Sequence, residues 1–256
     1  MADTSTSVEG RVVMITGGGQ GIGRAYALHF AEHGAIPVIA EIDGEKSDAV
    51  AAEVEAAGGQ ALSVHTDVTS LESVQAAVDQ TLGRFGRIDV LINNAAIFVT
   101  LGRQPFWEID VDEWRAVMDV NITGCFLCAR AVSGPMHDAG AGRIINISSS
   151  TVPQGIPGFT HYVTSKSALI GMTRCMAREL GDANITVNAV MPGMIETEIE
   201  NAGRTDAGRA AVIGHQSIQR QQEPMDIVGT LMFLASPASG FMTGQSICVD
   251  GGAAFV

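Results

Sequence analysis

The sequence is poor in aromatic residues and in charge, and the charge it has is mostly negative. Aromatics make up 5% and charged residues 17% of 256 residues, and the formal net charge is -13. No run of lysine and arginine is present to meet phosphates, which argues against nucleic acid and against anionic membrane surfaces as partners. No uncharged apolar stretch approaches the ~18 residues that span a bilayer. The opening "MADTSTSVEG" lacks the basic start and apolar core of a signal peptide, so the expected compartment is the cytoplasm.

Cysteine is scarce too. Cys125, Cys128, Cys175 and Cys248 form no disulfide framework. "CFLC" spells a CxxC but lies in an apolar helical stretch without a second ligand pair. "HFAEH" places His29 and His33 four apart, yet lacks the Glu directly after the first His that a zinc protease requires. Both read as helix residues, and no metal site is expected.

What the chain has in plenty is alanine, glycine and valine, and a hydrophobic fraction of 46%. Short β-rich runs at 11–16, 35–41, 61–66, 89–94, 143–148, 185–190 and 246–250 alternate with helical patterns. The helical candidates cover 22–33, 45–57, 70–84, 112–138, 163–181 and 224–235. Most strand runs are continuously apolar rather than alternating, as parallel strands covered on both faces must be. Alternation of this kind predicts one α/β domain: a doubly wound (Rossmann) sheet of about seven parallel strands with helices on both faces. Residues 194–222 break the rhythm with charge, Gly203, Gly208, Gly214 and weak apolar patterning, and read as a mobile substrate lid.

After the first strand comes "TGGGQGIG". A glycine-rich turn between a strand and a helix brings backbone N–H groups and a helix N-terminus up to a dinucleotide's pyrophosphate. Gly17, Gln20, Gly21, Ile22 and Gly23 are the residues of that loop. Glu41, at the end of the second strand and 20 residues after Gly21, is placed to accept hydrogen bonds from an adenosine ribose. A carboxylate there repels the extra phosphate of NADP, so the expected cofactor is NAD. Asp43 is the rival carboxylate, with an exposed turn as its simpler role.

The order and spacing of several further motifs carry a resemblance. "TDV" (66–68), "NNAA" (93–96), Asn121 in "DVNITG", "NISSS" (146–150), "YVTSK" (162–166), "PGMIET" (192–197) and "GQSICVDGG" (244–252) join the glycine loop. Over about residues 10–252 the chain resembles the single-domain short-chain dehydrogenases/reductases. "NNAA" departs from that family's usual NNAG at Ala96, which is tolerable where the backbone angle is ordinary. The resemblance implies a tetrad of Asn121, Ser149, Tyr162 and Lys166, with Ser149 chosen for its 13-residue interval to Tyr162. It implies cofactor contacts at Asp67, Val68, Asn93, Pro192, Gly193, Ile195 and Thr197, besides Tyr162 and Lys166.

The chemistry is sensible in its own right. Oxidising an alcohol requires a base for the O–H proton, and a free phenol, with a pKa near ~10, needs help to act at neutral pH. Lys166, four residues on and so on the same helical face, is the expected helper, lowering the phenol's pKa. Val152, Ile156, Phe159, Met194 and Ile199, with Gln154 and His161 as polar candidates, are expected around the substrate, His161 being equally able to face away on its helix in a structural role. A largely apolar pocket predicts a secondary alcohol or ketone with a ring-bearing body. A 3-oxoacyl-thioester reductase is the alternative, and a non-catalytic NAD-binding protein a more distant one. Apolar residues such as Phe126, Leu127, Val132, Leu169 and Met172 on the long helices accompany the homotetramer the resemblance implies.

Overall fold

The chain is described by a computed structural model over residues 4–199 and 205–256. Seven strands form one parallel sheet: β1 (Val12–Thr16), β2 (Ile36–Glu41), β3 (Leu62–His65), β4 (Val90–Asn93), β5 (Gly142–Ile147), β6 (Ile185–Pro192) and β7 (Ser246–Val249). Their spatial order is β3-β2-β1-β4-β5-β6-β7. The chain winds outward in one direction from β1 and in the other from β4. A crevice therefore opens beyond the carboxyl ends of β1 and β4, where such sheets bind ligands.

The continuous apolar strands are explained by burial on both faces. Val13, Ile15, Ile92 and Ile145 pack with Tyr26, Phe30, Ile227, Leu231 and Leu234. These last come from α1 (Gly21–Glu32) and α9 (Met225–Ala235), which flank that face with α2 (Gly44–Ala56). The alternate residues Val12, Met14, Leu91 and Ile144 pack on Val74, Val78, Val132 and Met136. Those belong to α3 (Leu71–Phe85) and to a long helical run on the other face. With ~25 cal/mol for each Å² of apolar surface removed from water, this two-sided burial is the main stabilising term.

The long run, expected as one helix over 112–138, is three segments. These are α4 (Val111–Met118), a π-helical turn (Asp119–Gly124) and α5 (Cys125–Ala139). The π turn inserts the extra residue that swings Asn121 inward, where it is fully buried. Within this span of 29 residues, an 18-residue window has a mean hydropathy of 1.3, apolar and long enough to cross a bilayer. Val117, Cys128, Ala129 and Val132 nevertheless lie in the protein's own core. Cys125 and Cys128 are free thiols buried in this run.

A short helix, α6 (Thr151–Gln154), and α7 (Thr160–Glu179) follow β5. The segment 194–222, expected without a helix, contains α8 (Asp206–His215). Thr205 caps it by accepting the Gly208 N–H at 3.1 Å, and none of its residues is buried. This helix has no core face, so its polar sequence shows no apolar periodicity. Gly203 lies outside the described residues.

Candidate active site

The glycine loop joins β1 to α1 at the mouth of the crevice. Gly21 takes a φ of +58°, and a Cβ on Gly23 would lie 2.1 Å from the Gly17 carbonyl oxygen. Side chains are thus excluded where the loop must lie flat against the turn. Gln20, at the N-cap of α1, gives its first turn no side-chain hydrogen bond. One of that turn's amides instead donates to an anion: Gly21 N–H to Glu198 Oε1 at 2.7 Å. A carboxylate therefore already sits where the loop would hold a phosphate, and the cradle fits a dinucleotide.

At the end of β2 the Glu41 side chain is 8% exposed. It accepts from the backbone N–H of Gly19 at 3.1 Å, Ile42 at 2.9 Å and Asp43 at 3.3 Å. Asp43 is occupied differently, capping α2 by accepting the Lys46 N–H, and its carboxyl is held below its ordinary pKa by that bond and the Lys46 ammonium. Asp67 Oδ1 accepts from Thr69, and Val68 is buried.

Two neighbouring asparagines divide their labour in an order the sequence did not reveal. Asn93, expected along the cofactor, is 1% exposed and donates into the core, to Asn146 Oδ1 at 2.9 Å and the Cys125 carbonyl at 3.3 Å. Asn94 braces the phosphate loop, donating to the carbonyls of Thr16 and Gly17, each at 3.0 Å. The doubled "NN" was the only signal. Ala96 has ordinary backbone, since Asn184 alone among described non-glycine residues has positive φ.

The segment after β6 overhangs the loop. Pro192 accepts from Ser150 N–H at 2.9 Å, Gly193 N–H donates to the Val249 carbonyl at 3.1 Å, and buried Ile195 pairs with Gln222. Thr197 and Ile199 follow, with Ile199 Cδ1 only 2.7 Å from where a Gly21 Cβ would stand. Ile199 therefore lies over the phosphate loop. Glu198→Gln is expected to tighten NADH or ADP-ribose binding roughly threefold to tenfold, because a diphosphate must displace the carboxylate. A fluorescence or calorimetric titration showing equal or weaker affinity would contradict that.

Across the crevice, β5 ends in three serines whose hydroxyls face different partners. Ser148 Oγ donates to the Lys166 carbonyl at 2.7 Å, and Ser150 Oγ accepts from Gln154 Nε2 at 3.2 Å. Ser149 Oγ accepts from the Thr151 N–H at 3.2 Å and the Thr151 hydroxyl at 2.9 Å, and lies near enough to the Tyr162 phenol to lower its pKa. Tyr162 and Lys166 share a face of α7, the ammonium lying 5.8 Å from the phenol ring centroid. Lys166 Nζ donates to the Ile147 carbonyl at 2.7 Å. Asn121 joins the loop after β4 to α7: its Oδ1 accepts from Ile97 N–H at 2.8 Å and its Nδ2 donates to Ser165 Oγ at 3.0 Å.

Protonation differs from the sequence-based expectation. Burial pushes the Tyr162 phenol up to about 12, against a lowering by the Ser149 bond, and pushes Lys166 down to about 8. The lysine does not depress the phenol here because its ammonium is directed at the Ile147 carbonyl and both groups are desolvated.

On the substrate side, Leu101, Val117 and Tyr162 cluster with Ile97, Phe98, Met118 and Phe159. His161, of the two roles the sequence allowed, takes the structural one: it is fully buried and faces away from the pocket. Its Nδ1 accepts the Tyr162 N–H at 3.0 Å and its Nε2 lies 3.2 Å from Glu113 Oε1 of α4. At the far end of α1 from the phosphate loop, His29, Glu32 and His33 bring one ligand atom each within 4.8 Å of one another.

A dinucleotide cradle on a doubly wound sheet, facing a Ser–Tyr–Lys group, defines a nicotinamide-dependent oxidoreductase acting on hydroxyl or keto carbons. The sequence profile of the family described as enoyl-(acyl carrier protein) reductase matches residues 17–254. The chain is 41% identical over 245 residues to the (2S)-[(R)-hydroxy(phenyl)methyl]succinyl-CoA dehydrogenase subunit BbsD of Thauera aromatica, covering 96% of this chain and 97% of that one. It is 38% identical to a 3-oxoacyl-[acyl-carrier-protein] reductase of Synechocystis, over 96% of this chain and 98% of that one. Among solved structures it resembles 7α-hydroxysteroid dehydrogenase complexed with NADH and 7-oxo glycochenodeoxycholic acid. There the TM-score is 0.91 and the identity 32%, with 98% of each chain covered. The chain belongs to the short-chain dehydrogenase/reductase family.

Proposed function

We propose that the protein is an NAD-dependent dehydrogenase acting between a ring-bearing secondary alcohol and its ketone, with Tyr162 as general acid and base. The observation that carries this reading is the Tyr162 phenol at the foot of an apolar, aromatic cluster, with the Lys166 ammonium 5.8 Å from its ring centroid and the Ser149 hydroxyl near enough to lower its pKa. Bound in the crevice, oxidised nicotinamide supplies the hydride acceptor and a positive charge near the phenol. Ser149 holds the alcohol oxygen, Tyr162 takes its proton, and Lys166, turned from the Ile147 carbonyl to the nicotinamide ribose, then favours the phenolate. Asn121, braced between Ile97 and Ser165, holds a water that returns the proton to solvent. A buried phenol near pKa 12 is protonated at neutral pH, so the site is set to donate a proton to a ketone. Oxidation is then expected to quicken as pH rises.

NAD is favoured because Glu41 is held by three backbone N–H groups and cannot swing aside cheaply. A 2′-phosphate would meet a fixed negative charge. We expect kcat/KM to favour NAD over NADP by at least about tenfold, or ~1.4 kcal/mol, and Glu41→Ala to narrow the gap. Equal use of both cofactors by the wild type would sink the NAD assignment. Ring-bearing substrates are supported by the aromatic cluster and by the relatives whose names carry a phenyl or steroid body. A 3-oxoacyl-thioester reductase is the second reading, favoured by the Synechocystis relative and opposed by the net charge of -13, which repels an acidic carrier protein.

The segment around α8 is proposed as a lid. Its two ends are zipped at Ile195 and Gln222, and Arg209 of the helix pairs with Glu196 at 3.0 Å, but no residue of the helix is buried. Local opening of so lightly held an element costs far less than unfolding. A homotetramer is proposed on exposed apolar residues: Leu71, Val111 and Phe126 on the helices of one face, and Phe241 and Phe255 around β7. Val132 and Leu169, expected to serve that interface, instead fill the monomer's core. The free cysteines suit a cytoplasmic enzyme.

A further inference from the structure

Outward from the catalytic phenol, a line of rings leads to one cation. The Tyr162 and Phe98 ring centroids are 4.4 Å apart, and those of Phe98 and Phe159 5.9 Å. The Arg103 guanidinium carbon stands 5.4 Å from the Phe159 centroid. Two loops build this line, the one after β4 and the one before α7, and the Gln104 N–H joins them by donating to the Gly158 carbonyl at 3.2 Å.

Arg103 is unlike the other surface arginines near carboxylates. Arg24, Arg87, Arg115, Arg209 and Arg220 each pair with one, and among the described arginines without an ion pair only Arg103 stacks on a ring of the substrate cluster. In a chain of net charge -13, a cation left unneutralised beside the substrate cluster stands out. Stacking uses only the face of the guanidinium. The N–H groups of its edge lie in the plane and remain free to fork onto a carboxylate.

We propose that Arg103 reads an acidic group on the substrate, so that the substrate is a hydroxylated ring carboxylic acid or a comparably anionic ring compound. Phe98 and Phe159 stand in line between Tyr162 and Arg103, so the hydroxyl and the acid must be set well apart on the substrate. A 2-hydroxy acid, with the two groups adjacent, does not fit this spacing. The inference rests on the alcohol–ketone reaction proposed above and assigns its substrate class.

The test compares wild type with Arg103→Ala and Arg103→Lys on 4-hydroxycyclohexanecarboxylate, its methyl ester and cyclohexanol, with NAD. Binding of cyclohexanecarboxylate, which has no hydroxyl to oxidise, is measured by calorimetry in the presence of NADH. A fork of charge-assisted hydrogen bonds predicts that Arg103→Ala raises the acid's KM roughly tenfold more than the ester's, with kcat for the acid little changed. Cyclohexanecarboxylate affinity should fall by a similar factor. Arg103→Lys should restore only part of either, because an ammonium cannot fork. If acid and ester respond alike and cyclohexanecarboxylate binds both proteins equally, Arg103 reads no anion, while turnover of either compound keeps the alcohol–ketone reaction standing. If none of the three alcohols is turned over, that reaction fails for this class. The cyclohexanecarboxylate titration then still decides: weaker binding by Arg103→Ala upholds the anion site and equal binding overturns it.

Discussion

Tyr162→Phe is expected to lower kcat by about 10³-fold while leaving the affinity for NADH within a few-fold of wild type. Only the phenolic oxygen handles the reacting proton. The ring belongs to the apolar cluster with Leu101, Val117 and Phe98, and phenylalanine preserves it. Steady-state rates alongside a nucleotide titration separate the two roles. Retention of more than a tenth of the wild-type kcat would remove Tyr162 from the proton path. A matching collapse of nucleotide affinity would instead show that the substitution had disturbed the crevice.

The second large effect joins activity to stability. Lys166 is 2% exposed, and burial lowers its pKa from 10.5 to about 8. Below pH 8 the buried group is cationic and folding bears the desolvation penalty in full. Between pH 8 and 10.5 the unfolded chain binds more protons than the folded one, so stability rises with pH until the penalty is gone. Lys166→Met keeps the stem and removes the charge. At pH 7 it should gain on the order of 1–2 kcal/mol, after loss of the hydrogen bond to the Ile147 carbonyl, and raise Tm by a few degrees. The same variant should be nearly inactive and bind nicotinamide nucleotides more weakly. Thermal melts at pH 7 and pH 10 check the sign: the advantage should shrink at the higher pH. A variant less stable than wild type at pH 7 would mean that the ammonium's contacts outweigh its burial.

Much of this was legible in the sequence, for identifiable reasons. Strands buried on both faces leave continuous apolar runs, so all seven could be placed within a residue or two. Glycine is required where φ is positive or a carbonyl comes too close, so the loop at Gly21 and Gly23 announced itself. Spacing on one helix put Tyr162 and Lys166 on one face. Features that depend on contacts distant in sequence did not show. The π turn at Asn121 looks like helix because its residues are as apolar as their neighbours. α8 has no buried face, so no periodicity betrayed it. His161 and Asn93 look like pocket residues beside Tyr162 and the cofactor loop, but Glu113 and Asn146 draw them into the packing. Glu198 on the Gly21 amide joins positions separated by 177 residues, which no local pattern can reveal.

The central claim is a hydride transfer from a ring carbinol to NAD at Tyr162. It is tested most directly by incubating the purified protein with NAD and 4-hydroxycyclohexanecarboxylate bearing hydrogen or deuterium on the carbinol carbon. The account predicts NADH and ring ketone in equal amounts, a slower rate for the deuterated alcohol when chemistry limits turnover, deuterium carried into the nicotinamide, and none of these with Tyr162→Phe. Ketone formed without deuterium in the NADH, or undiminished turnover by Tyr162→Phe, would contradict it.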